Sequence, residues 1–454
     1  MEYSFPRIMI AGTGSGCGKT TVTSALLKAL SDRNQIISAY KCGPDYIDTM
    51  FHEHILGRSS TNLDSFFFDE NTLKWLLVKN RKNCDLGVIE GVMGFYDGLG
   101  IDSTKASSYE ISQLTQTPVI LVLNAKGSAL SLLAVIHGFM TFQANNNIRG
   151  VILNQCSAMT YSALAKAITA CFKGRIKPFG YLPLMPECSL ESRHLGLITA
   201  GEIEDLDQKT AKLDEQAQKT IDLDGILELA AQAPALSCNS IQLPVYQTSV
   251  RIAVAQDKAF CFYYHDNLDI LKQMGAEIVP FSPLSDASLP GNIHGLYLGG
   301  GYPELYAEKL SKNITIRQAV LRALQEQIPC IAECGGFMYI TQSIADFPMT
   351  GFLQGSCYNN QKLTRFGYNH LRAGHKNMLF DEGEEIPAHE FHYWDCTETG
   401  FDFTAVKPSG KQWQCGYASD HLYAGFPHFH FYAKPSAAIR FYEACLRYKE
   451  KQNG

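Results

Sequence analysis

Residues 7–30, RIMIAGTGSGCGKTTVTSALLKAL, constrain the fold more than any other stretch of this chain. Five mostly apolar residues lead into glycines at 12, 14, 16 and 18, and an amphipathic pattern of helical period follows. Such a strand, loop and helix let backbone N–H groups converge on phosphate oxygens, and the helix N-terminus adds partial positive charge. Lys19 is placed to reach the outer phosphates and Thr20 to ligate Mg²⁺. Gly12, Thr13, Gly14, Ser15, Gly16, Cys17, Gly18, Lys19, Thr20 and Thr21 therefore form a candidate ATP-binding loop. A glycine-rich turn without a ligand is the plainer reading, and the flanking strand and helix weigh against it.

The alternation continues. RIMIAG, LGVIEGV, PVILVLNA and GVILNQ read as buried strands of a parallel sheet with helices between them, giving a nucleotide-binding α/β domain over 1–200. Ligands of such sheets sit at the C-terminal strand ends. Two segments put carboxylates there. KCGPDYIDT carries Asp45 and Asp48, and IEGVMGFYDG carries Glu90 and Asp97. With Thr20, the residues Asp45, Asp48 and Glu90 are candidate Mg²⁺ ligands. The two aspartates could equally cap turns. Glu90 ends an apolar strand, where a charge needs a partner.

From 201 the composition turns to Asp, Glu, Gln and Lys, then to Pro234 and Pro244. This stretch, 201–248, reads as a charged helical segment and linker. A second α/β domain follows over 249–446, with strands in VRIAVAQ, AEIVPF, GLYLGGG and PCIAEC. In PCIAECGGFMYI the cysteine Cys334 stands between an apolar strand and a helix. Small neighbours permit a sharp turn that exposes a nucleophile at a helix N-terminus. The glycines of LYLGGGYPELY and Gly335 offer N–H groups to an oxyanion, with Gly300, Gly301 and Gly335 the candidates. Downstream, YAGFPHFHF supplies His428 and His430, two residues apart and so on one face of an extended segment. One of them is the candidate base for a thiol that is mostly protonated at neutral pH.

The net charge of −6 and the lack of a Lys/Arg cluster speak against a nucleic-acid partner. The fourteen cysteines are scattered without a C-x-x-C, so neither a disulfide framework nor a zinc site is expected. No leader and no apolar run of membrane-span length is visible, and a reducing cytoplasm fits.

The strict phosphate-loop pattern is not met, because Thr13 holds the first glycine's place. The variant G-T-x-S-x-x-G-K-T resembles the loop of dethiobiotin synthetase and its relatives, a branch of the P-loop NTPase-like folds. Glycine strand, cysteine elbow and late histidine resemble a class I glutamine amidotransferase, a flavodoxin-like fold. That family usually ends in His-x-Glu, and here the ending is His-x-His. Together GTGSGCGKTT, KCGPDYIDT, IEGVMGFYDG, ESRHLGL, LGGGYPELYAEKL, AECGGFMYI and HEFHYW resemble the cobyrinate a,c-diamide synthase family over nearly the whole chain.

The resemblance implies a ligase that amidates the a and c acetate carboxylates of cobyrinate, using ATP, Mg²⁺ and L-glutamine. It implies ATP–Mg²⁺ on Lys19 and Thr20. Asp45, Asp48, Glu90 and Asp97 would serve the ATP, metal and substrate-carboxylate site, with Cys334 as glutaminase nucleophile. Tyr46 and Ile47 would touch the macrocycle, and Arg193 and His194 would meet its carboxylates or form a salt bridge. A homodimer is compatible with it. The alternatives are the same chemistry on hydrogenobyrinate or Ni-sirohydrochlorin, and a regulatory P-loop ATPase with an inactive glutaminase fold.

Overall fold

The computed structural model describes residues 1–453 apart from 82, 190, 191, 194, 195 and 198. It divides into two units, Met1–Ile241 and Gln242–Gly454. In the first, seven parallel strands run in the order Thr61–Leu63, Ile37–Cys42, Leu86–Glu90, Arg7–Gly12, Val119–Asn124, Ile148–Asn154 and Lys177–Leu182. The central strands are covered on both faces, which is why Ile8, Met9, Ile10, Val88, Ile89, Ile120 and Val122 form near-continuous apolar runs, all fully buried. From Arg7–Gly12 the chain steps outward to Ile37–Cys42, and later strands lie on both sides of it. The strand order thus reverses beside the phosphate loop, where a crevice opens at the C-terminal ends.

The charged stretch after 201 forms helices Leu206–Thr220 and Leu223–Ala231. Its buried residues Leu213, Ala217, Ile226 and Leu229 share one core cluster with Leu26 and Leu30 of helix Lys19–Asp32. Both helices are therefore part of the first unit, which extends to Ile241. Their charges lie on the outer face, and the apolar residues recur at helical spacing beneath it.

The second unit holds a six-stranded sheet ordered Glu277–Phe281, Arg251–Ala255, Gly295–Leu298, Cys330–Glu333, Leu422–Gly425 and Tyr417–Ala418, parallel except for the last strand. Beside it stands a second, mostly antiparallel sheet that the sequence reading did not separate. Its long pair is Ser356–Ala373 against Glu385–Cys396, and the two-residue strand His428–Phe429 adds to Ala388–His389. The late histidine thus belongs to the second sheet, and the cysteine elbow ends a strand of the first.

Candidate active site

The phosphate loop is held from below. Gly18 has φ 98°, and a Cβ there would lie 1.9 Å from Asn154 Nδ2. Only glycine satisfies both conditions. Asn154 Nδ2 in turn donates to Cys17 O at 3.0 Å. Lys19 Nζ donates to Gly14 O at 3.2 Å and to Met93 O at 2.5 Å. The loop after Glu90 is tied to the phosphate loop by Phe95 N donating to Gly12 O at 2.8 Å. Burial lowers the Lys19 ammonium from its ordinary value, helped by Lys41 and opposed by Cys17, Glu90 and Asp48.

Glu90, fully buried at its strand end, is the hub. Its Oε1 accepts from Thr20 Oγ1 at 2.7 Å and from Lys41 Nζ at 3.2 Å, and its Oε2 lies 2.7 Å from His52 Nε2. Lys41 also donates to Gly91 O at 3.1 Å and pairs with Asp48. Burial would raise Glu90, but Lys41, His52 and Thr20 hold its carboxyl down at about 2. Asp48 shares the same ammonium and loses the contest, since burial and then Glu90 push it up to about 7. Lys41 is raised above its ordinary value because Asp48 and Glu90 outweigh burial.

Asp45 and Asp97 make their hydrogen bonds outside this hub. Asp45 Oδ1 accepts from the N–H groups of Ile47 at 2.7 Å and Asp48 at 3.1 Å, in the first turn of helix Ile47–Leu56. Tyr46 and Ile47 are buried beside it. Asp97 is exposed, and its Oδ2 accepts from Gly94 N at 2.8 Å. The side chain of Arg193, and all of His194, lie outside the described residues; the backbone Ser192–Arg193 pairs with Gly196–Leu197.

In the second unit Cys334 has φ 49° and ψ −100°, a strained conformation for a residue with a side chain. Its N–H donates to Gly425 O at 2.7 Å and its carbonyl accepts from Met338 N at 2.9 Å, which clamp the turn. The glycine turn lies against it. Gly301 has φ 151° and no room for a Cβ, which would stand 2.1 Å from Ala259 O. A Cβ on Gly335 would lie 3.2 Å from Gly301 N, and one on Gly300 would lie 2.6 Å from His428 Cε1. Elbow, glycine turn and His428 therefore adjoin. Burial, with Glu304 and Glu390, pushes the Cys334 thiol well up. Burial and His392 press the His428 imidazole down to about 3.

Two domain families match these units. Residues 8–197 match the CobQ/CobB/MinD/ParA nucleotide binding domain, and residues 251–436 match the CobB/CobQ-like glutamine amidotransferase domain. Full-length relatives decide between the branches. A cobyrinate a,c-diamide synthase of Clostridium acetobutylicum is 41% identical over 430 residues, covering 94% of this chain and 97% of that one. Others from Caldanaerobacter subterraneus subsp. tengcongensis and Listeria innocua are each 38% identical, covering 98% and 97% of this chain and 99% and 100% of theirs. The chain belongs to the cobyrinate a,c-diamide synthase family.

Within this synthase family's chain, the two histidines of the His-x-His ending have different partners. The strand stops at Phe429, and His430 begins a turn in which its Nδ1 accepts from Tyr432 N at 3.2 Å. Its ring packs on Tyr264 with centroids 4.8 Å apart. His430 keeps an extended backbone, φ −109° and ψ 125°, although the ladder ends at Phe429. What lies at His428 instead is Glu333, with Oε2 3.2 Å from Nδ1.

Lys41, His52 and Glu333 were not singled out from sequence. Lys41 and Glu333 had a legible signal, a charge at the end of an apolar strand, in ISAYKC and CIAE. His52 had none, because a lone histidine on a helix is commonly packed in a core. Among the described residues no group of three or more His, Cys, Asp or Glu is arranged to hold a metal ion. No described helix is long and apolar enough to cross a membrane.

Proposed function

We propose that this enzyme amidates the a and c acetate carboxylates of cobyrinate, with ATP bound at the Lys19 loop and glutamine cleaved at Cys334. The observation that carries the reading is the joining in one chain of a phosphate loop wired to a buried carboxylate and a strained cysteine elbow against a glycine turn. Neither half alone makes an amide.

A carboxylate is a poor electrophile, so its oxygen first takes the γ-phosphoryl group of ATP, giving an acyl phosphate and ADP. Lys19 stabilises charge on the transferring group. Thr20 and Glu90 present hard oxygens 2.7 Å apart at the loop, a pair suited to Mg²⁺, which keeps waters and takes one or two protein oxygens beside phosphates. When bound, Mg²⁺ supplies charge neutralisation on the phosphates. Lys41 and His52 hold Glu90 in position for that task. Asp48 and Asp97 serve the substrate carboxylate, and Tyr46, Ile47 and Arg193 the macrocycle.

In the glutaminase unit the resting pair is a thiol and a neutral imidazole, since burial disfavours both charges. The thiol proton passes to His428 as sulfur bonds to the side-chain carbonyl carbon of glutamine. N–H groups of Gly300, Gly301 and Gly335 receive the oxyanion. The imidazolium returns the proton to the departing nitrogen, which leaves as ammonia, and water then frees glutamate from the thioester. Ammonia attacks the acyl phosphate, and phosphate departs as the amide forms.

The test is incubation with ATP, Mg²⁺ and amide-¹⁵N glutamine, together with cobyrinate, hydrogenobyrinate or Ni-sirohydrochlorin, followed by mass spectrometry of each tetrapyrrole. Two labelled amides on cobyrinate are expected. No labelled product from cobyrinate would overturn the reading, whichever other tetrapyrrole reacts.

A further inference from the structure

We infer that Glu333, the residue immediately before the nucleophile, is the carboxylate that orients the base His428. This rests on the glutaminase reading above and adds a positioning residue to it. The usual arrangement brings that carboxylate from two residues beyond the histidine, and His430 in that place is turned toward Tyr264 and Tyr432.

The geometry is that of a fixed acid against one edge of an imidazole. Glu333 Oε2 lies 3.2 Å from His428 Nδ1, both side chains being buried. The carboxyl is itself held, by Tyr297 OH donating to Oε1 at 3.4 Å and by the N–H of Phe429. With Nδ1–H directed at Glu333, Nε2 is the nitrogen that can accept a proton. The ring edge carrying Cε1 and Nε2 faces Gly300, on the side of the glycine turn and elbow.

Charge balance points the same way. Among the described residues no Lys or Arg pairs with Glu333, so its ionised form has no fixed counter-charge. The imidazolium formed when His428 takes the thiol proton is that counter-charge. Burial lifts the Glu333 carboxyl to about 8, so its ionisation gains most when the positive charge appears beside it. The other titratable groups facing the pair are His389, stacked on His428 at 5.2 Å, His392 and Glu390 nearby, and Tyr263, Tyr297 and Tyr423 around Glu333. None of these is a Lys or Arg; burial holds His389 well below its ordinary value, and His392 contacts Glu390 at 3.0 Å. The reversed φ of Cys334 also breaks strand alternation, so consecutive residues need not address opposite faces.

The test is Glu333→Gln, which keeps size and removes charge. In Ser-His-Asp enzymes the equivalent amide lowers kcat by about 10⁴ through the wrong tautomer, and a fall of about 10² to 10⁴ is expected here. The KM for glutamine should stay within about three-fold, since the loss is confined to the transition state. The pH profile of Cys334 alkylation should shift toward that of an unassisted thiol, and amidation fed by ammonium salts should persist. Glu333→Asp, which keeps the charge, should recover part of kcat. Glutamine-dependent kcat within three-fold of the parent in Glu333→Gln would overturn the inference. So would Glu333→Asp as inactive as Glu333→Gln with an unchanged alkylation profile, the mark of a packing role. Cys334→Ala runs beside them, because glutamine-fed amidation surviving in that variant sinks the glutaminase reading itself.

Discussion

Asp48→Asn should make the first unit more stable at pH 8 while removing a carboxylate from the synthetase site. Asp45, Asp48 and Glu90 all bear on the single ammonium of Lys41, and Asp48 is the one pushed up, from an ordinary 3.8 to about 7. A carboxyl raised by folding binds a proton that the unfolded chain has released. Stability is therefore present in full below 3.8 and drains away as pH rises through about 7. At about 1.4 kcal/mol per pH unit, that interval sets a ceiling of about 4 kcal/mol. The amide also gives up the Lys41–Asp48 contact, but Lys41 keeps Glu90 as a matched partner. The net gain is then about 1–3 kcal/mol at pH 8, shrinking as pH falls toward 4. The assay is urea unfolding at pH 8 and pH 5, read from Trp75 fluorescence with Trp394 and Trp413 replaced by Phe. A variant less stable than its parent at pH 8, or one with the same gain at both pH values, refutes the reasoning.

Cys334→Ala should abolish glutamine-dependent amidation and leave amidation fed by ammonium salts, both measured by product mass; loss of both in folded protein would refute the two-site scheme. Lys19→Ala should lower amide synthesis by about two to three orders of magnitude, as removal of a single donor to developing charge does, with glutamate release partly retained. Unchanged synthesis would place ATP elsewhere. His428→Ala should lose most glutamate release and slow Cys334 alkylation. His430→Ala should affect both less, and the reverse ranking would show that the base is His430.

Much of both units was legible because their parallel strands are covered on both faces and so are written as short apolar runs. RIMIAG, LGVIE and CIAE each lie on strands where every residue is buried. The phosphate loop and elbow were legible for a related reason, since glycines and a cysteine between strand and helix leave few alternatives. The second sheet was not. Ser356–Ala373 is half exposed and carries Asn, Gln, Lys and Arg along its length, with breaks in register after Asn359 and Thr364, so no clean period of two survives. The charged helices after 201 misled in the opposite way, because their solvent face dominates the composition and hides the residues that pack on helix Lys19–Asp32. Nor could spacing foresee that the strand bearing His428 ends one residue later. Termination there depends on which neighbour pairs with it, and that neighbour lies some forty residues upstream, at Ala388–His389.

The pairing of an elbow on one sheet with a histidine on the other has a consequence for the protein as it is being made. Cys334 leaves the ribosome well before His428, which then has to find His389 and the turn at Gly300. A nascent chain that has passed the elbow carries its thiol and the neighbouring Glu333 but not yet His428, the proposed base. Translation stalls and C-terminal truncations before residue 428 should thus yield fragments that do not hydrolyse glutamine. Glutamate release should therefore appear only in chains that extend past residue 428, and assays of shorter fragments should detect no ammonia from glutamine.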